Sequence, residues 1–486
     1  MPTRLLAAVW GFAVLLAALY LAQTANIHYA GGIMGDPVTT YDPVLSRNAA
    51  GDWWVHPRTG NHWFTNHVTL WMYPVSLLYM LHDHASTYYA VIQVCLALAV
   101  VPLAALAWRL TGRAGAVGAA SALWAFNTLT VSHVLSLHSE NIVFPFWFLL
   151  MWGLVARRPW AVWCGVLGVL SVKQDQAVWL VCFALWAGVF RYCHWRMALA
   201  LAAAGFGAFA LFKGIMFSLP ATTESEVGYY WVRERYGGIA ETPTGLVLHF
   251  AAHPLDLLAR LARPVWGPLL LAGGLVCLLG WRSMLLTLPP ALLLLTADHE
   301  PFNRLLYYYS YPFLPPLMLA MLEGLRAAER LIPSRQRALA WLGAGVAVLG
   351  VAQLALPSRR EGWRLGAYPV APKVDAAREF VHRNVRLDDP AERVMSQWVL
   401  VAFVPRGRLR VPMSPGHLPG TTLVVVDLNG AFWDLSLAEY EAMLGYLFDE
   451  ANGWRIVDRV EGLTAFRRAD GPLDAVPQRF DSGKWE

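Results

Sequence analysis

Long apolar runs separated by short polar junctions fill roughly the first three quarters of the chain. Leu5–Ala22, Thr87–Trp108, Ala114–Val131, Ile142–Ala156, Trp160–Val172, Ala177–Phe190, Met197–Phe217, Val265–Gly280, Met284–Ala297, Leu306–Leu322 and Ala338–Leu356 predict eleven membrane crossings. A bilayer asks for about 20 residues per helix, so the shorter runs must be tilted, broken or extended by polar ends. The run His67 to Leu81, "HVTLWMYPVSLLYML", is about 15 residues with a proline inside, a length typical of interfacial segments; it predicts a helix lying on the outer surface. After Ser358 the pattern changes. A helical "KVDAAREFVHRN" is followed by the strand-like "RVMSQ" and "RLRVPM", the strand "TTLVVVDL", the helical "SLAEYEAMLGYLFDEA" and a strand pair in "WRIVDRVEGLTAFRR". This alternation predicts a small α/β domain.

Charge fixes the expected topology. Arg4, Arg109 with Arg113, Arg157 with Arg158, Arg191 with Arg196, Arg282 and the group Arg326, Arg330, Arg335 and Arg337 fall at every second junction. Arginine-rich junctions face the cytoplasm. The N-terminus is therefore expected in the cytoplasm and the C-terminal domain outside, in the inner, cytoplasmic membrane. Leu5–Ala22 has no small-x-small cleavage site after it and reads as an uncleaved first helix rather than a signal peptide. The expected organisation is a transmembrane domain over 1–357, with a first outer loop at 23–86 and a second at 218–264, and an extracytoplasmic α/β domain over 358–486.

Composition agrees. The 486 residues are 57% hydrophobic and only 15% charged, against about a quarter charged in soluble domains. The formal charge of +5 sits in topology-setting clusters and does not point to nucleic acid. The 23 tryptophans suit aromatic belts at both interfaces. The cysteines Cys95, Cys164, Cys182, Cys193 and Cys277 all lie in apolar runs or at their ends, which argues against a disulfide framework.

Polar chemistry concentrates at the outer ends of the expected helices. The stretch "GDPVTTYDPVLSRNAAGDWWVHPRTGNHWFTNH" brings Asp36, Asp42, Asp52, His56, His62 and His67 into the first outer loop. "SLHSENIVFP" brings His138 and Glu140, and "VKQDQ" brings Lys173 and Asp175. "ADHEPFNRLLYYYSYP" brings Asp298, His299, Glu300, Arg304 and Tyr307 to Tyr309. The hairpin holding "VKQDQ" is too short to carry its turn clear of the membrane, and ionisable groups at that depth mark function by default. Cations there can hold a phosphate, a carboxylate can take a proton from an acceptor hydroxyl, and aromatic faces suit sugar rings. Plainer readings stand beside these. Asp36 suits a turn, Asp42 before Pro43 suits a helix N-cap, Lys173 and Asp175 can simply cap a hairpin, Tyr307 to Tyr309 suit the interface belt, and Arg304 can snorkel. Asp52, His56, His62 and His67 are a candidate ligand set whose spacing matches no metal signature. The sequence calls for no cofactor and gives a divalent metal no support.

Several of these segments resemble a large family of predicted membrane proteins of unassigned function, a DUF family, itself similar to the GT-C glycosyltransferases that use polyprenyl-phosphate sugars. "TYDPVLSRN" resembles its Tyr-Asp motif, with Asp42 as the acid. "TNHVTLWMYP" resembles its loop-histidine motif, with His67 as the histidine. "LHSENIVFP" is similar to its His-x-Glu segment, and "SVKQDQA" resembles a Lys-Glu-Asp motif in which Gln174 stands where the family tends to have glutamate. "LLYYYSYPFLPPLMLAMLEGL" resembles its tyrosine- and proline-rich late helix, and the tail resembles its terminal α/β segment. The resemblance implies an all-α polytopic fold of GT-C type, of about eleven helices, with a small C-terminal α/β domain. It implies inverting transfer of a sugar from a polyprenyl-phosphate donor to an acceptor not identified by the sequence. Asp42 would be the general base with Asp36 in reserve, Lys173 and Arg304 would stabilise the leaving phosphate, and His67, His138, Glu140, Asp175 and Tyr307 would line the pocket. Partners would be the lipid-linked sugar, the acceptor and the bilayer, with no nucleic acid. A transporter or flippase of an amphiphilic substrate is the rival reading, disfavoured because such proteins place the polar site near the midplane and often carry internal repeats, which this chain lacks. A sensory or structural protein is the third.

Overall fold

The computed structural model describes residues 1–29, 40–51, 53–55, 62–65, 67–219, 232, 235–298, 309–331, 372–386, 389, 392–397, 400, 403–404, 409–413, 418–428 and 437–469. The chain divides into two compact units. The first comprises Met1–Thr24, Phe64–Pro74 and Tyr89–Leu365; the second comprises Ala25–Trp63, Val75–Tyr88 and Gly366–Glu486.

The helices in chain order are α1 (Thr3–Tyr29), α2 (Asp42–Ala49), α3 (Met72–Leu81), α4 (Ala85–Leu98), α5 (Val100–Thr111), α6 (Ala114–Phe126), α7 (Thr128–Ser136), α8 (Val143–Ala156), α9 (Pro159–Val172), α10 (Gln176–Val189) and α11 (Trp195–Ser218). They continue with α12 (Pro243–Ala252), α13 (Pro254–Leu261), α14 (Trp266–Ala272), an irregular helical run Val276–Leu295, and α15 (Leu314–Leu331). Among the described residues, five segments are long and apolar enough to cross a membrane: Thr3–Asn26, Ala85–Thr111, Ser139–Ala156, Trp195–Ser218 and Val276–Leu295. The chain is a multi-pass membrane protein. α11 shows why: Leu199, Phe206, Leu211 and Phe217 are all exposed along it, an arrangement suited to lipid and not to water.

The elements depart from the expected crossings at two places. The run Ala114–Val131 is broken at Asn127, with a bend of 47°. Asn127 Oδ1 accepts from the backbone N–H groups of Leu129 and Thr130, capping α7, while its Nδ2 donates to Leu123 O at 2.8 Å at the end of α6. One side chain thus closes one helix and opens the next. The run Val265–Gly280 is likewise split. α14 ends at Ala272, Gly274 and Leu275 adopt positive φ, and the chain then runs from Val276 to Leu295 as one 20-residue segment. That segment packs tightly on α15: a Cβ added at Gly280 would lie 2.0 Å from Ala320 O, and one at Gly324 would lie 2.0 Å from Val276 O. The predicted crossing Ala338–Leu356 lies outside the described residues, as does residue range 306–308 of the one before it.

The C-terminal part forms as the alternation predicts. Helix α16 (Pro372–Asn384) and helix α17 (Leu437–Phe448) accompany strands β1 (Arg393–Ser396), β2 (Leu409–Pro412), β3 (Leu423–Asp427), β4 (Trp454–Val460) and β5 (Leu463–Arg468). The sheet order is β2-β1-β3-β5-β4. β1 pairs parallel with β2 and β3, and β5 pairs antiparallel with β3 and β4. The unbroken apolar run "LVVV" in β3 follows from burial on both faces. Leu423 and Val425 pack with Phe380 and Val381 of α16, whereas Val424 and Val426 pack with Met443 and Leu447 of α17.

Candidate functional site

The polar centre of the first unit is built from four separate stretches: 67–69, 138–142, 173–175 and 309–311. Packing of α8 on α9 brings two of them together. A Cβ added at Gly165 would lie 2.7 Å from Leu150 N, and one at Gly168 would lie 2.1 Å from the Phe146 ring. Only glycine permits this approach, the device by which membrane helices pack closely. At the end of this contact Lys173, just past the last residue of α9, meets Glu140 in the short 3-10 turn Ser139–Ile142 that leads into α8.

Glu140 is fully buried. Its Oε1 accepts from Lys173 Nζ at 2.8 Å, and its Oε2 accepts from Ser139 Oγ at 3.0 Å and contacts His138 Nδ1. A buried ion pair is tolerable only when hydrogen bonds satisfy the remaining polar atoms, and both carboxylate oxygens are engaged here. Lys173 is largely buried as well, with 13% of its side chain exposed. Asp175 begins α10, and its Oδ2 accepts from the Tyr311 hydroxyl. Tyr311 in turn accepts from Trp179 Nε1 at 3.2 Å. Asp175 Oδ1 is buried with no hydrogen-bond partner. The centre thus holds two carboxylates and one ammonium within a shell of hydroxyl and indole donors. Trp179 also lines a small apolar cleft with Trp147, Met151, Phe183 and Pro290.

Gln174 ties the returning first loop to this turn. Its Oε1 accepts from Val68 N at 3.2 Å and its Nε2 lies 3.3 Å from His67 Nδ1. Trp71 N donates to Ser171 O at 3.1 Å alongside.

The structure therefore joins His138, Glu140 and Lys173 in one hydrogen-bonded group, sets Asp175 against Tyr311 and places His67 against Gln174. It adds residues that the sequence did not single out: His133, Asn141, Ser310 and Tyr311. His133 is fully buried; its Nδ1 lies 2.6 Å from Asn141 Oδ1 and its Nε2 lies 3.1 Å from Ser310 Oγ. A lone histidine in a helix otherwise free of charge was the available signal.

Asp42 belongs to the second unit, where it is 1% exposed. Its Oδ1 accepts from the Tyr79 hydroxyl of α3 at 2.8 Å. The N-cap of α2 is Tyr41, with no side-chain cap bond, and Asp42 stands in the first turn beside Pro43; the capping alternative for Asp42 is thereby overturned. Tyr41 stacks on Tyr88 at 5.6 Å and meets Trp63 edge-on at 5.7 Å. Asn48 donates to Ser76 Oγ at 3.0 Å and accepts from Trp54 N at 2.8 Å, which fastens α2 to α3 and to the loop. Asp36, Arg304 and Tyr307 lie outside the described residues. So do Asp52 and His56 of the candidate ligand set. Among the described residues no three His, Cys, Asp or Glu side chains gather in a way that could hold a metal ion. The five cysteines are unpaired.

The family described as "Predicted membrane protein (DUF2079)" matches residues 38–365. The chain belongs to it. Three solved structures resemble this member over nearly its whole length. ArnT from Cupriavidus metallidurans bound to undecaprenyl phosphate is 12% identical with a TM-score of 0.52, covering 96% of this chain and 99% of that one. The apo state of the same protein is 13% identical with a TM-score of 0.50, covering 94% and 98%. The Archaeoglobus fulgidus oligosaccharyltransferase in complex with Zn and sulfate is 14% identical with a TM-score of 0.46, covering 96% and 74%. The fold of the DUF2079 chain is GT-C-like. No curated protein matches it by sequence.

Proposed function

We propose that this DUF2079 protein is a membrane glycosyltransferase that moves a sugar from a polyprenyl-phosphate donor to an acceptor, with inversion. The observation carrying this reading is the GT-C-like fold shared over 96% of the chain with a protein bound to undecaprenyl phosphate. The buried carboxylates and ammonium beside an apolar cleft support it, because a lipid phosphate needs both a cation and a greasy wall.

Asp42 is the general base. As the acceptor oxygen bonds to the anomeric carbon, its proton passes to Asp42, the bond from that carbon to the phosphate oxygen breaks, and its electron pair stays on the leaving lipid phosphate. Lys173 and Arg304 stabilise that negative charge. Glu140 holds the Lys173 ammonium in place at the cost of one of its three donors. Tyr79 orients the base. His67, His138, Glu140, Asp175 and Tyr307 line the sugar and acceptor pocket, and Asp36 is the reserve acid. The site faces outside the inner membrane, with the N-terminus in the cytoplasm and the C-terminal domain on the same side as the site.

The test is transfer in liposomes with a panel of labelled polyprenyl-phosphate sugars, the wild type beside Asp42→Asn. Sugar release or transfer by the wild type and its loss in the variant is the expected result. A folded wild type that neither binds nor consumes any donor overturns the reading.

A further inference from the structure

Glutamine at 174 has a chemical consequence at His67. The Gln174 amide lies between two groups of the returning first loop, with Oε1 3.2 Å from Val68 N and Nε2 3.3 Å from His67 Nδ1. The oxygen and nitrogen of a glutamine amide are hard to tell apart by shape and are assigned from their hydrogen bonds. Here the assignment is forced. A backbone N–H can only donate, so the amide atom facing Val68 must be the oxygen. The other end is then the NH2 group, which can only donate. His67 Nδ1 must accept, and a ring nitrogen that accepts carries no proton.

We infer that Gln174 is a positioning residue that locks His67 as a neutral imidazole with its proton on Nε2. Nε2 of His67 is therefore a hydrogen-bond donor, neither an acceptor nor a cation. A glutamate at 174 would do the opposite. Both its oxygens accept, so Nδ1 would have to carry the proton, and His67 would turn into the other tautomer or into an imidazolium. The residue at 174 thus sets which ring nitrogen of His67 carries the proton. A donating Nε2 pairs with an oxygen acceptor, and any use of it toward substrate rests on the transferase reading; the tautomer does not. The loop strand is fixed independently by the Trp71 N to Ser171 O hydrogen bond at 3.1 Å, so changes at 174 act on a segment that stays tied to α9.

Nitrogen-15 histidine labelling of the full-length protein in lipid nanodiscs tests this directly. Two-bond nitrogen–proton correlations distinguish protonated from bare ring nitrogens, and comparison with His67→Gln identifies the His67 signals among the 14 histidines. Spectra are taken at a pH above the ordinary imidazole range and without substrate. The wild type is expected to show a protonated Nε2 and a bare Nδ1. Gln174→Glu is expected to move the proton to Nδ1, and Gln174→Met, which removes both donor and acceptor, to give a mixture of tautomers. A protonated Nδ1 in the wild type overturns the inference, as does an unchanged His67 signature in both variants. If Gln174→Glu fails to fold, the contrast between a locked wild type and a mixed Gln174→Met decides. Because no substrate is present, a silent transfer assay leaves this result standing, and an overturned tautomer leaves the transferase reading to its own test.

Discussion

The Tyr79 hydroxyl donates to Asp42 Oδ1 across 2.8 Å, and the carboxylate that receives it is 1% exposed. Removing that donor from a buried charged acceptor costs about 1–3 kcal/mol. Tyr79→Phe should therefore lower the thermal stability of the purified protein while leaving it folded. Asp42→Asn keeps the shape and removes the base, and on the proposed mechanism it should slow transfer by about 10²- to 10⁴-fold. Full transfer activity in Asp42→Asn would move the base elsewhere.

Lys173 and Glu140 form a pair whose members are each costly alone. Lys173→Met leaves Glu140 buried without its cation, a change worth about 3–5 kcal/mol. Combining it with Glu140→Gln should lose much less than the two single variants added together. Unfolding measured in detergent for the four members of this cycle gives the coupling. A sum that agrees with the double variant within about 0.5 kcal/mol would mean that the two residues act independently.

Gly165 and Gly118 offer a steric contrast. Alanine favours a helix over glycine by about 1 kcal/mol. At Gly118 an added Cβ meets nothing within 4 Å, so Gly118→Ala should be neutral or stabilising. At Gly165 the same atom would lie 2.7 Å from the Leu150 backbone nitrogen, and overpacking of this kind costs about 1–3 kcal/mol. Gly165→Ala should therefore destabilise, and a melting temperature equal to that of wild type would contradict the packing of α8 on α9.

Asp458 on β4 accepts from Arg383 Nε at 2.7 Å and from Asn384 Nδ2 at 2.8 Å. The Arg383 guanidinium holds this carboxyl below the usual carboxylate range. A depressed folded-state pKa adds stability that is present above the unfolded value of about 3.9 and disappears as the pH falls through the folded one. The pair is partly exposed, so the effect stays below about 1 kcal/mol. Hydrogen exchange of the C-terminal sheet in the full chain, compared at neutral and strongly acidic pH, should lose more protection on acidification in wild type than in Asp458→Asn. Equal losses would assign the acid response to other groups.

The apolar runs of α1, α8 and α11 and all five strands of the tail could be read directly, because each is a local pattern in which burial or lipid dictates residue type. Where a single residue decided, the sequence spoke less plainly. Asn127 sits inside an apolar stretch and breaks it only because its side chain serves two helix ends at once. Gly273 and Gly274 lie in a run that hydropathy alone makes continuous. The ends of the site, Glu140 and Lys173, were visible as ionisable residues at membrane depth. Tyr311 and Ser310 were not, since their partners Asp175 and His133 are 136 and 177 positions away and nothing in one sequence records such pairs. The partner of Asp42 was hidden for a related reason: the Tyr79 hydroxyl that donates to its carboxylate comes from another helix.

The glycine-lined contact between α8 and α9 makes the meeting of Lys173 and Glu140 a matter of phase. Each residue advances a helix by 1.5 Å and turns it by about 100°. One residue inserted between Gly168 and Lys173 would keep every side chain of the site and every apolar run, yet it would swing the ammonium about a quarter turn away from its carboxylate. A further two or three residues would complete the turn and restore the direction, yet leave the ammonium about 5 Å further along the axis. The chemistry of this centre is therefore written as much in the count of residues between the last packed glycine and the lysine as in the identity of the charged groups themselves.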